Sequence, residues 1–436
     1  MAKVKSKKIT LEEALVPVEE QPYEVPENWC WTYLLNGFAE CKDGNRKPIN
    51  ASERAEREGD IPYYGATGQA GWIDDYLTDE QLVLLGEDGA PFLELLKDKA
   101  YLIEGKAWVN NHAHIIKSHY GEVGNKYILH YLNVFNFHGY VNGTTRLKLT
   151  QASMRTIPVP LPPLAEQKRI VEQIESLFAK LDEAKEKALS VVESFELREK
   201  AIYKKAFEGD LTNSWRAENG INISEWEEIP FEKLGKLERG RSKHRPRNDK
   251  RLFGGKYPFI QTGDVAGAGM YVTSHKQTLS EFGFEQSRMF PKGTLCITIA
   301  ANIGDAAILS YDCCFPDSVV GFTPGEKCLN KYMYFYLQEI KAELEYIAPA
   351  TAQKNLNLKL LGKVEIKVPS LKEQEKIVEI LEKQINDQEN IVEKAENVIE
   401  TIDVMKKSIL AKAFRGELGT NIETEESAIE LLKSIF

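Results

Sequence analysis

The sequence predicts an α/β (α+β) fold: two globular domains with mixed β-sheets, separated by two long antiparallel helices that form a coiled coil, with an internal pseudo-two-fold repeat. Three observations predict it. The chain has 436 residues, 42% hydrophobic and 28% charged, too long for one ordinary core, so two domains are the first expectation. A segment of 44 residues occurs twice. Before each copy lies a stretch of short apolar runs punctuated by Gly-rich turns, and these two stretches look unlike one another.

The repeat aligns Leu164–Phe207 to Leu371–Phe414 without a gap, at an offset of 371 − 164 = 207. Seventeen of the 44 positions are identical, where unrelated sequences of ordinary composition share about three. The match continues through Gly209-Asp210-Leu211 against Gly416-Glu417-Leu418, with weaker echoes at Asn125-Lys126-Tyr127 against Asn330-Lys331-Tyr332 and at Trp29 against Trp226. The order is a duplication: variable domain, helix, variable domain, helix. The boundaries that follow are an N-terminal extension (1–27), a first domain (28–160), a first long helix (161–211), a linker (212–224), a second domain (225–369), a second long helix (370–418) and an acidic tail (419–436).

Each repeated segment carries helix punctuation. Pro162-Pro163 and Pro369-Ser370 precede the starts, Gly209 and Gly416 follow the ends, and the interiors hold neither Gly nor Pro. Apolar residues then recur at alternating four and three: Ile170, Ile174, Leu177, Leu181, Ala184, Ala188, Val191 and Phe195, a break at Arg198, then Ile202. The second copy runs Ile377, Leu381, Gln384, Gln388, Ile391, Ala395, Val398, Ile402, Met405, Ile409. This is a heptad seam, the pattern of a helix that buries one stripe against a partner helix, and the other copy is the natural partner. Some 44 residues at ~1.5 Å each make rods of about 66 Å, long enough to set a distance. Gln384 and Gln388, opposite Leu177 and Leu181 in the alignment, either fix register and orientation or form a solvated patch where the seam opens.

Both variable domains read as short strands with turns and an occasional helix. Net charge is −10, which by itself counts against a nucleic-acid partner, but its distribution is uneven. Acidic residues crowd the ends, whereas Arg239 to Arg251 holds seven Lys or Arg (Arg239, Arg241, Lys243, Arg245, Arg247, Lys250, Arg251) and His244 against the single Asp249. Gly240 and Pro246 make this a loop whose cations can follow a phosphate backbone, with Arg able also to grip guanine edges; the alternative is a merely solvated basic loop. Polar loops offer donors and acceptors for base edges, or plain turn chemistry: Thr67 and Gln69, and Thr144, Thr145 and Arg146, in the first domain; Gln261 and Thr262, and Gln353 and Lys354, in the second.

Other chemistry is poorly supported. His112 and His114 have the spacing of some metal ligands, but no neighbouring Cys or carboxylate in the sequence completes a set, so no metal is expected. The six cysteines form no CxxC pair and are read as buried or incidental thiols. No GxxxxGK[ST] phosphate loop and no Asn-Pro-Pro-Tyr or Asp-Pro-Pro-Tyr catalytic string occurs. Glu104-Gly-Lys106 and Glu365-Ile-Lys367 have a nuclease-like spacing without an upstream Asp partner. No apolar run approaches the roughly 20 residues that span a bilayer, and no apolar segment follows the N-terminal lysines, so a cytoplasmic chain without catalytic residues is expected.

The run Pro160-Leu-Pro-Pro-Leu-Ala-Glu-Gln-Lys-Arg-Ile-Val171, repeated as Val368-Pro-Ser-Leu-Lys-Glu-Gln-Glu-Lys-Ile-Val378, resembles the start of the long helices in specificity subunits of Type I restriction-modification enzymes. The Ala-Phe-x-Gly-[Asp/Glu]-Leu ends at 206–211 and 413–418 are similar to the same family's helix ends. The resemblance covers nearly the whole chain. It implies two target-recognition domains, each reading one half of an asymmetric bipartite site in double-stranded DNA, with the helices setting the unspecified spacer. It further implies two methyltransferase (M) subunits docked on helices and domains, and restriction/translocase (R) subunits in the larger complex. S-adenosylmethionine, ATP and Mg chemistry would belong to those partners, with no cofactor in this chain. A coiled-coil adaptor whose globular domains bind protein partners is the alternative.

Overall fold

In the computed structural model, which describes residues 9–348 and 356–436, the chain divides into two units, Met1–Leu189 with Glu396–Phe436 and Ser190–Ala395. In the first, Ala39–Cys41, Ala113–Ser118, Leu82–Gly86 and Ala100–Ile103 form one antiparallel sheet in that order. A second sheet runs Gly68–Ile73, Ile61–Gly65, Lys106–Val109, Thr78–Asp79, and its central pair is parallel.

The second unit has the same plan under a different sequence. Gly235–Arg239, Val319–Pro324, Leu295–Thr298 and Ala306–Leu309 make the antiparallel sheet, extended by Tyr271–Val272. Gln277–Leu279, Phe253–Phe259, Cys313–Cys314 and Met289–Phe290 make the other, again with a parallel central pair. The inner strands are apolar on both faces, Leu82–Leu85 and Leu295–Thr298 being almost wholly excluded from solvent. That explains why they read as continuous apolar runs rather than as alternation.

A two-stranded ribbon leads into each repeated helix. Cys30–Tyr33 pairs with Pro158–Leu161 and Glu227–Pro230 with Glu365–Val368; Cys30 faces Leu161, Glu227 faces Val368, and 161 + 207 = 368. A helix on each sheet, Gly121–Val134 and Asn330–Glu339, clamps the ribbon through tyrosines. Tyr127 and Tyr131 donate to the carbonyls of Pro160 (2.8 Å) and Pro158 (2.6 Å), and Tyr332 donates to that of Lys367 (2.6 Å). Phe414 packs edge-on against Tyr127 and Tyr131, Phe207 against Tyr332 and Tyr336. Each helix therefore starts in one unit and ends in the core of the other.

The second repeated helix is one element, Leu371–Ala413. The first, expected to be equally continuous, is two, Leu164–Glu193 and Phe195–Phe207, interrupted at Ser194. The Ser194 hydroxyl donates to the Ser190 carbonyl (2.6 Å), which also keeps the Ser194 N–H (3.1 Å), and Arg198 turns its guanidinium back onto the Val191 carbonyl (2.8 Å), where a side chain competes with the helical ladder. The second copy tolerates the equivalent bond, Thr401 to Asn397, but has Met405 where the first has Arg198. Both copies end at a glycine in the left-handed region, Gly209 (φ 87°) and Gly416 (φ 74°), where a side chain would also strike Ile223 or Pro26.

The seam differs in register through the middle. Ile170, Ile174, Ile377, Leu381 and Ile402 are buried, and Leu177, Leu181, Val191, Phe195, Ile202 and Ile409 are half-buried, but Ile391 and Val398 are exposed, at 44% and 45%. The covered stripe is Gln388, Val392, Ala395, Ile399 and Ile402, still spaced four and three but one residue along. Within the first unit Asp182 meets Lys406 (2.5 Å) and Lys185 meets Asp403 (2.9 Å), so these stretches run in opposite directions. In the second unit Arg198 donates to Gln388 (2.7 Å), filling the seam's break with a polar contact.

The chain ends are not the appendages the sequence suggested. Ala14, Ala428 and Leu432 belong to the first unit's core, and Ala428 N–H donates to the Asn28 carbonyl (2.9 Å). Glu12, Glu13 and Glu430 sit on two short helices, Leu11–Ala14 and Ala428–Lys433, that bury apolar residues, and Glu425 pairs with Arg169 (2.7 Å). The linker is folded too, with a helix at Asn213–Asn219. Among the described residues no helix is long and apolar enough to cross a membrane.

Candidate DNA interface and its supports

A buried carboxylate sits at the first turn of each repeated helix. Glu166 accepts from the Trp29 indole (2.7 Å) and from Asn421 (2.8 Å). Glu373, exactly one repeat on since 166 + 207 = 373, accepts from the Trp226 indole (3.0 Å), Thr212 (2.7 Å) and the Arg216 guanidinium (2.7 Å). Beside each lies a buried glutamine, Gln167 donating to the Pro162 carbonyl (3.0 Å) and Gln374 to that of Pro369 (2.9 Å). The Glu-Gln pair visible in both sequence copies thus ties helix start, domain start and the segment after the other helix into one buried network in each unit.

The basic loop spans from the end of strand Gly235–Arg239 to the start of strand Phe253–Phe259. Its cations divide into two kinds. Arg247 is bidentate to Asp317 (2.8 and 2.9 Å), Arg239 donates to the Asp317 carbonyl, and Arg251 and His244 both bind Asp249 (2.7 and 2.8 Å). Hydrogen bonds from Arg251 and His244 hold the Asp249 carboxyl far below the usual carboxylate range. Arg245 donates to the Ser242 and His244 carbonyls, shaping the loop while remaining exposed. Among the described residues Arg241, Lys243 and Lys250 make no side-chain ion pair or hydrogen bond, and Lys243 and Lys250 are exposed. Five positions, Arg239, His244, Arg245, Arg247 and Arg251, therefore hold the loop in shape, and the remainder present charge.

Of the polar loops, Gln261 and Thr262 lie beside the basic loop, Gln261 donating to Gln277 (2.7 Å). Gln353 and Lys354 lie outside the described residues. In the first unit Thr67 occupies the turn between strands Ile61–Gly65 and Gly68–Ile73 and Gln69 lies in the second of them, with both side chains exposed. Thr144 and Thr145 are exposed, and Arg146 pairs with Asp88 (2.8 Å). The Gly86–Gly89 turn lies between these loops: Gly86 approaches Ala66, and Asp88 holds Arg146.

Cations of the first domain escaped the sequence reading. The segment between strands Ala39–Cys41 and Ile61–Gly65, the counterpart in strand order of the basic loop, carries Arg46, Lys47, Arg54 and Arg57. Three lie over aromatic rings, Arg54 on Tyr63 at 4.8 Å and Lys47 and Arg57 on Trp108 at 5.8 and 4.7 Å, while Arg46 pairs with Asp43 and Glu87; Trp72 is exposed nearby on the paired strand. Interleaved acids diluted them in composition; strand order alone aligns them with residues 239–251.

His114 also has spatial partners that the sequence hid. Cys41, Asp43 and His114 bring their donor atoms within 4.8 Å of one another. Asp43 is already occupied by His114 (2.7 Å), the Ile115 N–H (2.9 Å) and Arg46 (3.0 Å), while the other His114 nitrogen faces the Leu149 carbonyl (3.0 Å). Burial raises the Asp43 carboxyl, yet its bonds with His114, Ile115 and Arg46 outweigh that and leave it below its ordinary value. Burial pushes the Cys41 thiol up to about 11, away from the thiolate a metal requires. The arrangement is a saturated hydrogen-bond cluster that pins the strand Ala113–Ser118. His112, outside it, binds Asp88 (2.8 Å).

Comparison with known proteins agrees with this organisation. The family model described as Type I restriction modification DNA specificity domain matches twice, over residues 26–194 and 223–401. A type I restriction enzyme specificity subunit of Haemophilus influenzae is 30% identical over 360 residues, covering 80% of this chain and 86% of the relative. The EcoKI specificity subunit of Escherichia coli is 26% identical over 305 residues, 65% of this chain and 64% of that one. The crystal structure of the HsdS subunit from Thermoanaerobacter tengcongensis shares the fold, with a TM-score of 0.63 at 18% identity over 92% of this chain and all of that one. A chain from a structural study of type I R-M complex assembly matches with a TM-score of 0.65 at 17% identity, over 91% of this chain and all of that one. Two matches to one family model, falling on the two halves of a duplicated chain, show that this protein belongs to the family of Type I restriction-modification DNA specificity subunits.

Proposed function

We propose that this chain is the non-catalytic DNA-reading subunit of a Type I restriction-modification enzyme, and that its two domains each read one half of an asymmetric, bipartite site. The observation that carries the reading is one strand order used twice with different loops in the same places. Shared topology gives two reading heads one docking geometry, and unlike loops give them unlike sequences. The exposed, internally unpaired Lys243 and Lys250 favour contact with phosphates.

The paired helices set the unspecified spacer, and the 43-residue helix Leu371–Ala413 supplies a length of about 64 Å for it. Methyltransferase subunits dock on helices and domains, bringing S-adenosylmethionine; restriction/translocase subunits bring ATP and Mg chemistry, all in the cytoplasm.

Salt-dependent duplex binding tests the reading. Arg245→Glu weakens binding about tenfold or more at low salt and flattens the salt dependence, and Lys250→Glu, which breaks no internal bond, does the same to a smaller degree. Duplex affinity unchanged in both variants at 50 mM salt or so would favour the protein-binding adaptor.

A further inference from the structure

Beneath the basic loop lies a cavity of about 120 Å³, space for several water-sized groups at the ~10–15 Å³ that one water needs. Arg241, Arg247, Ser287 and Gln261 line it above a floor that includes Phe253 and Phe259. Among the described residues no acidic side chain lines it. Arg247 is turned to Asp317 and the Ser287 hydroxyl to the Cys314 thiol, but the Arg241 Nε is shut off from solvent with no hydrogen-bond partner. Buried donors are satisfied in the great majority of native structures, and each one left bare costs about 1–3 kcal/mol. A bare guanidinium donor in a cation-lined cavity lacks an acceptor, and its own charge favours one that is negative.

The geometry points to this cavity as a seat for a single phosphate group of the DNA backbone, with Arg241 supplying both the charge and the hydrogen bond. This rests on the DNA-reading function proposed above and adds to it a defined contact. Lys243 and Lys250 contribute field from the rim, whereas Arg241 holds one phosphate at a fixed place. That contact sets where along the duplex the second domain's loops fall, while carrying no sequence information of its own.

The test titrates the full-length chain with a random-sequence duplex over a salt series. Arg241→Gln lowers the slope of log affinity against log salt by about one, the value of a single phosphate contact. Arg241→Lys keeps the slope and binds several-fold more weakly, since the charge remains but the planar fork is lost. Inorganic phosphate followed by ³¹P NMR separates the sources. Saturable phosphate binding that Arg241→Gln abolishes, with no change in the duplex slope, identifies a free-anion site and overturns the proposal. A wild-type chain that binds duplex with the same slope as Arg241→Gln overturns the phosphate seat and leaves the DNA-reading function standing. A wild-type chain with no salt-dependent duplex binding overturns both.

Discussion

Glu373→Ala destabilises the second unit by about 3–5 kcal/mol, the cost typical of stranding one partner of a buried ion pair. Both side chains of the pair are almost wholly buried, Arg216 at 5% and Glu373 at 1% exposure. Removing the carboxylate deprives Arg216 of its counter-charge and leaves the Thr212 hydroxyl and the Trp226 indole without their acceptor. Glu166→Ala costs less, because the first unit's carboxylate is served by Trp29, Thr420 and Asn421, all neutral. Arg216→Met in the Glu373→Ala background recovers part of the loss, as the stranded charge is removed. Urea denaturation of the three variants and the wild type checks the ranking; a loss below ~1 kcal/mol for Glu373→Ala would show that water enters the site and that the network does not join helix to domain.

Inserting seven residues into both helices, after Leu189 and after Ala395, lengthens the gap between half-sites by about three base pairs. Seven helical residues add about 10.5 Å, and each base pair occupies ~3.4 Å along the duplex. A whole heptad keeps the covered stripe facing the same way. The same insertion in only one helix abolishes activity, because the first unit's pairs, Asp182 with Lys406 and Lys185 with Asp403, and the second unit's Arg198 contact with Gln388 can no longer all stay in step. Sequencing methylated sites in a host carrying the variant with its methyltransferase reads the outcome. A gap that stays the same in the doubly extended chain would remove the helices from any part in setting it.

Local signals in the sequence carried much of this. Pro162-Pro163, Pro369, Gly209 and Gly416 bracket segments that the structure builds as helices from Leu164 and Leu371, because proline and left-handed glycine act within a turn or so of the backbone. The helix motifs around Glu166-Gln167 and Glu373-Gln374 sufficed to identify the family. What escaped depends on distance through space. Ile391 and Val398 fit a heptad on paper, yet Val392 and Ile399 are covered, because a period near 3.6 drifts from a 3.5 count over a long helix. Ser194 interrupts its helix through the Arg198 side chain, which no propensity scale describes. Cys41 and His114 lie far apart in the chain but on adjacent strands. Of the basic loop, charge density announced all seven cations equally, whereas Asp249 and Asp317 decide which of them are paired within the chain.

The reading of two unlike half-sites at a set interval is tested most directly by single-molecule methylome sequencing of a restriction-deficient host that expresses this chain with its cognate methyltransferase. The account predicts one asymmetric motif made of two different specified blocks around a constant unspecified gap, with methylation in both blocks. A single contiguous motif, or blocks at variable separation, would contradict it.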